Sequence, residues 1–203
     1  MPDLKKYKMF INGEWVDSES KKTFKSLNPE NNEPWAEVPE ASEKDVDKAV
    51  KAAQKAFEGS WPKLFPKERA KYLKGIAEQL RENAELLGKV ETVDTGKLFK
   101  ETKTQANYIA EYYEYFAGLA DKVEGTVVPI DKKNMQVITT RIPIGVVAAI
   151  IPWNSQMLLT AVKLAPALAM GNTVVIKASE LAPVTLLEFA KLIEKAGLPD
   201  GVV

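Results

Sequence analysis

Apolar residues change period twice along the chain, and each change marks a different kind of structure. The first forty residues alternate in short runs. Met9-Phe10-Ile11 and Glu14-Trp15-Val16 flank Asn12-Gly13, the strongest short-range hairpin signal. Asn28-Pro29-Glu30-Asn31-Asn32 predicts a second turn, because Pro fixes φ and Asn tolerates the left-handed region. From Ser42 the spacing becomes helical. Ser42 can cap a helix with Asp45 three residues on, and Val46, Val50, Ala53 and Phe57 then form its predicted inward face up to Gly59. Pro66 opens a second helix, with Ala70, Leu73, Ile76 or Ala77, and Leu80 facing inward. Asn83 opens a third that carries Leu86, Leu87, Val90 and Val93 to Gly96. A fourth, from about Lys100 to Ala120, aligns Ala106, Ile109, Tyr113, Phe116 and Ala120. Four helices in succession predict a helical layer.

Beyond Val127 the period shifts again. Met135 to Arg141 is rich in β-branched residues and alternates as a half-buried strand does. Gly145 to Ile151 is apolar at every position, which predicts a strand covered on both faces, as in a parallel sheet. An apolar helix to about Met170 follows, then a strand over Asn172–Lys177, then a helix from Pro183 to Gly197 that carries Leu187, Phe189 or Ala190, and Ile193. Leu198 to Gly201 forms a turn, and Val202-Val203 begins another strand. The last third therefore reads strand, helix, strand, helix, so the fold class is α/β.

The 203 residues allow one domain or one and a fraction. Apolar residues make up 45%, with 17 aromatics, enough for a real core and too many for disorder. The 28 basic and 28 acidic side chains cancel, which argues against nucleic acid as a partner. No stretch has the length and apolarity of a signal peptide or a membrane span, so a cytoplasmic protein without membrane association is expected. Cys and His are both absent. That removes disulfides, thiolate or imidazole metal sites, and Cys or Ser-His nucleophiles from these residues.

The remaining chemistry falls at two strand ends, where open α/β sheets bind their ligands. After the first strand comes Ile151-Pro152-Trp153-Asn154; after the second, Lys177-Ala178-Ser179-Glu180. The Asn154 amide can cap the following helix or donate to an oxyanion. Lys177 and Glu180 form either a solvated surface pair or a clamp in which the carboxylate holds a ribose diol. Lys163, inside an apolar helix, can snorkel to water. The aromatic run Tyr108, Tyr112, Tyr113, Tyr115 and Phe116 reads as helix packing. No Gly-x-Gly-x-x-Gly occurs.

The runs Pro143 to Asn154, Lys163 to Glu180 and Ala196 to Val203, with Phe10 to Trp15 and Asn28-Pro29, resemble the NAD(P)-dependent aldehyde dehydrogenase superfamily, in its bacterial betaine-aldehyde or broad-range type. The resemblance runs in order through essentially the whole chain. It implies the N-terminal portion of that fold: a helical layer and the first parallel strands of a Rossmann-like NAD-binding domain over 1–122 and 143–203, and an oligomerisation arm over 123–142. It implies that Asn154 donates to the oxyanion and that Lys163 serves a charge relay. Ile150, Ile151, Pro152 and Trp153 would line the cofactor groove with Asn154, and Lys177, Ala178, Ser179 and Glu180 would hold the adenosine ribose. Ser26, Leu27, Asp94 and Leu181 would offer oxygens to a monovalent cation. The reaction implied is oxidation of an aldehyde to a carboxylic acid by NAD⁺ through a cysteine thiohemiacetal, in a homodimer or homotetramer. Glu180 favours NAD, with NADP possible because Lys177 offsets the repulsion of a 2′-phosphate. The family's nucleophilic Cys, base Glu, Gly-rich loop and catalytic domain are expected beyond Val203, so this stretch alone should be inactive. The alternative reading is a dinucleotide-binding or subunit-association module without catalysis. Ser155-Gln156 departs from the aromatic and Pro found there in many members, which leaves the aldehyde unspecified.

Overall fold

The structure, a computed structural model, describes residues 4–203. Strands β1 (Lys5–Lys6), β4 (Thr23–Asn28) and β5 (Glu33–Pro39) form a three-stranded sheet in the order β1-β5-β4. Strands β2 (Met9–Ile11) and β3 (Glu14–Val16) form the hairpin that Asn12-Gly13 predicts, with φ of 54° and 78° at the two turn residues. Both values are left-handed, as a primed turn requires.

Four helices follow: α1 (Glu43–Glu58), α2 (Pro66–Glu82), α3 (Ala84–Thr95) and α4 (Phe99–Leu119). The backbone N–H and the hydroxyl of Ser42 both donate to the Asp45 carboxylate, at 2.8 and 2.7 Å, and this box opens α1. Leu73, Ile76, Ala77 and Leu80 of α2, Leu87 of α3 and Ala106, Ile109 and Tyr113 of α4 are buried in one core, as their spacing predicts. α3 and α4 touch backbone to backbone at Gly88. A Cβ there would come within 2.9 Å of the Lys103 main chain, and the Thr102 hydroxyl donates to the Gly88 carbonyl at 2.9 Å. Two expectations for this layer fail. Val46 and Val50 of α1 are exposed, and so is Leu86 of α3. α1 lies over the N-terminal end of the sheet formed by the strands of the last third, so the face carrying Ala53 is the one covered.

In the last third, β8 (Val146–Ile150) and β9 (Thr173–Lys177) pair in parallel, joined by α5 (Gln156–Ala169), and α6 (Val184–Lys195) follows β9. The Val174 N–H donates to the Val202 carbonyl at 2.9 Å, so the predicted strand start at Val202 lies beside β9. Val147, Ala149, Val174 and Ile176 face the core with α5 and α6. The opposite face is covered only at its N-terminal end, where the Thr173 hydroxyl donates to the Ala53 carbonyl of α1 at 3.0 Å. Ala148 and Ile150 on that face are exposed, so β8 is not covered on both sides as its composition predicts.

Residues 123–142 form an exposed ribbon in which β6 (Val127–Val128) pairs with β7 (Val137–Ile138) in antiparallel fashion. The strand expected over Met135 to Arg141 shortens to two paired residues, and it is exposed rather than half-buried. Among the described residues the ribbon's two strands pair with each other and with no other strand.

Candidate functional site

Register brings the two candidate loops together. Ile150 pairs with Lys177, and the Ile151 N–H donates to the Lys177 carbonyl at 3.0 Å, so β8 and β9 end side by side. Two buried amides hold this pair at its ends. At the start of the strands, Asn172 Oδ1 accepts from the backbone N–H groups of Ile144 and Gly145 at 2.8 and 3.1 Å. At the far end, Gln156 Nε2 donates to the carbonyls of Trp153 and Ala182 at 2.8 and 2.9 Å.

At that far end Ile151 and Ser179 are buried, and Ala178 is half-buried. Ile150, Pro152, Trp153, Asn154, Lys177 and Glu180 are exposed, with Ile150 retaining 68% of its surface. The N-cap of α5 is Ser155, not Asn154, and no side-chain hydrogen bond caps the helix. The capping role open to Asn154 in the sequence is therefore not the one it takes. Lys177 Nζ donates to Glu180 Oε2 at 2.8 Å, and that hydrogen bond holds the exposed Glu180 carboxyl below its usual range. Both readings of this pair survive, since an exposed ion pair can also serve as a waiting clamp.

Lys163 lies two turns into α5 and is half-buried. Its ammonium reaches back to the Leu159 carbonyl at 3.5 Å, on its own helix and one turn nearer the loop, and no hydrogen bond or ion pair among the described residues joins it to Asn154. The neighbour that does reach the loop is one the sequence did not single out. Lys97, just past α3, donates to the Ser155 hydroxyl and lies 3.9 Å from Glu91 Oε1. Glu91 is fully buried, and neither carboxylate oxygen has a hydrogen-bond partner among the described residues. Burial pushes its carboxyl up to about 7, with Lys97 pulling down and Asp94 pushing up. No local spacing signals this group, because Lys97 and Ser155 are 58 residues apart.

The residues assigned to a cation fare differently. Ser26 and Asp94 do meet: the Ser26 hydroxyl donates to Asp94 Oδ1 at 3.0 Å, beside an irregularity in the β4 register. Asp94 Oδ2 accepts from the backbone N–H and hydroxyl of Thr185 at 3.0 and 3.1 Å. Burial raises the Asp94 carboxyl to about 6, against the pull of these hydrogen bonds. Leu27 and Leu181 are exposed and offer only backbone oxygens. The side-chain oxygens are engaged with one another and with Thr185, a closed unit that ties β4 and α3 to α6.

The aldehyde dehydrogenase family model matches residues 15–203. The chain belongs to that family. It is 51% identical over 201 residues to (Z)-2-((N-methylformamido)methylene)-5-hydroxybutyrolactone dehydrogenase of Acinetobacter baylyi, covering 98% of this chain and 41% of that protein. It is 43% identical over 197 residues to betaine aldehyde dehydrogenase of Bacillus subtilis, covering 96% and 40%. Among solved structures, aldehyde dehydrogenase of Bacillus cereus (G224D mutant) superposes with a TM-score of 0.94 at 41% identity, over 98% of this chain and 41% of that one. Betaine aldehyde dehydrogenase of Staphylococcus aureus, solved in complex with NAD⁺, gives 0.92 at 38% identity, over 96% and 39%. The chain spans about 40% of the length of these relatives. The α/β architecture of an aldehyde dehydrogenase N-terminal part is thus shown. Among the described residues no helix is long and apolar enough to cross a membrane.

Proposed function

We propose that this chain is the N-terminal part of an NAD-dependent aldehyde dehydrogenase and supplies its oxyanion donor and part of its NAD site. The observation that carries the reading is the in-register ending of β8 and β9, which puts Asn154 and the Lys177–Glu180 loop on one sheet edge. NAD⁺ would supply the hydride acceptor for oxidation of an aldehyde to its acid. No Cys is present in the 203 residues, so the thiol nucleophile is not among them.

Each residue's task follows from its chemistry. Attack on a carbonyl turns its oxygen into an oxyanion, and a carboxamide N–H that is not tied to a helix end can stabilise the charge as it develops. Glu180 is exposed and ionised, so it can accept from both hydroxyls of a ribose, and the same charge repels a 2′-phosphate. Lys177 steadies that carboxylate. Ala148 and Ile150, exposed on the outer face of β8, would offer a bound cofactor an apolar floor. The ribbon over 123–142 presents Val127, Val128, Val137 and Ile138 to solvent, which supports its use as the arm of a homodimer or homotetramer. Substitution of Asn154 by Ala in the complete enzyme should lower kcat by roughly 10²–10³ while NAD⁺ affinity barely moves, as for one oxyanion donor. Stopped-flow measurement of NADH formation reads the first quantity and calorimetry the second. Loss of NAD⁺ binding with kcat intact would make Asn154 a cofactor-loop residue instead.

A further inference from the structure

Gln156 opens α5 with a side chain that is fully buried. Its Nε2 carries two protons, and each goes to a different loop: one to the Trp153 carbonyl at 2.8 Å, after β8, the other to the Ala182 carbonyl at 2.9 Å, after β9. The orientation of the amide follows, because the reversed amide would set Oε1 against two carbonyl oxygens. Oε1 has no hydrogen-bond partner among the described residues. An apolar side chain of the same size would bury without that cost, so what the amide contributes is its two donors. Direct backbone pairing between the strands ends at the Ile151 N–H. Past that point, among the described residues, Gln156 is the hydrogen-bonded link between the two loops.

We infer that Gln156 is a positioning residue that sets the spacing between the Asn154 loop and the Lys177–Glu180 loop, so that oxyanion donor and ribose clamp are held as one unit. It touches neither substrate nor cofactor and acts through two backbone carbonyls. The bridge itself stands on geometry; its consequence for NAD⁺ rests on the function proposed above.

Gln156→Met keeps the volume and removes both donors, and amide hydrogen exchange of the 203-residue chain reads the result. Exchange should rise at least tenfold at both the Ile151 and the Leu181 N–H, the hydrogen-bonded amides at the two loops, with protection of α2 and α4 unchanged. A side chain that only fills space predicts no change in either loop, and a rise in one loop alone would equally overturn the bridge. Should the variant fail to fold, the wild-type chain decides: scalar couplings across the hydrogen bonds from Gln156 Nε2 to the Trp153 and Ala182 carbonyl carbons must be present, and their absence overturns the proposal. In the complete enzyme the same variant should bind NAD⁺ about tenfold more weakly with Glu180 intact. Unchanged affinity beside loosened loops would overturn the positioning role. Failure of the wild-type enzyme itself to bind NAD⁺ would sink the ribose-clamp reading and contradict the NAD⁺ consequence, with the exchange result still deciding the bridge.

Discussion

The helical layer and the parallel strand pair both carry apolar faces, yet those faces end in opposite states. In α2, α3 and α4 the inward face is a stripe, and the stripes close on one another and on α5 and α6, leaving Leu73, Leu80 and Leu87 with no exposed surface. β8 is apolar at every position, but the core takes only alternate residues, and Ile150 keeps 68% of its surface. A helix places its apolar residues on one side and needs one neighbour. A strand of a parallel sheet needs two, and the outer one is here only the end of α1. Stability therefore concentrates in the helical layer, while the candidate chemistry lies at the open end of the strands.

The sharpest way to break this contrast is to delete the same kind of side chain on both sides of it. Leu80→Ala should cost about 2.7–5 kcal/mol, since it leaves a cavity in a closed core. Ile150→Ala should stay within about 0.5 kcal/mol, since its side chain is already in water. Urea denaturation of the two variants measures both. Equal losses would mean that the outer face of β8 is covered in solution.

Glu91 tests the boundary between the two regions, because it is buried in α3 yet linked through Lys97 to Ser155. Below about pH 4.5 its carboxyl is protonated whether the chain is folded or unfolded. Between 4.5 and about 7 the folded chain keeps a proton that the unfolded chain has released, so its contribution to stability falls as pH rises. Glu91→Gln is neutral throughout. It should match wild type at pH 4 and exceed it by up to about 3 kcal/mol at pH 8. Thermal denaturation across that range checks the sign. A variant less stable than wild type at pH 8 would mean that the Lys97 pair, not burial, governs Glu91.

How much of this was legible in the sequence differs between the same two regions. Leu73, Ile76 and Leu80 announce their burial by spacing alone, and Asn12-Gly13 announces the hairpin, because both are local rules. Val46 and Val50 follow the same helical spacing and are exposed: periodicity says which residues share a face, not whether a neighbour covers it. Asn154, Lys177 and Glu180 could be placed at strand ends from the sequence, and the register then joined them. Gln156 left only one trace, a polar residue where the family resemblance leads to the expectation of Pro, and nothing local says that its amide reaches Ala182, 26 residues on. Lys97 and Glu91 left none, because their roles depend on tertiary approach.

The exposed Lys177–Glu180 pair, proposed above as a ribose clamp, would otherwise be a solvated ion pair. An exposed pair of this kind contributes little or nothing measurable to stability, so Glu180→Gln should leave the denaturation midpoint unmoved. Calorimetric titration of NAD⁺ and NADP⁺ into the complete enzyme and this variant asks the question directly. Hydrogen bonds to a carboxylate are worth more than those to a neutral amide. NAD⁺ affinity should therefore fall about tenfold, while the affinity for NADP⁺ relative to NAD⁺ rises. An unchanged ratio of the two dissociation constants would return Glu180 to the solvated surface and contradict the clamp.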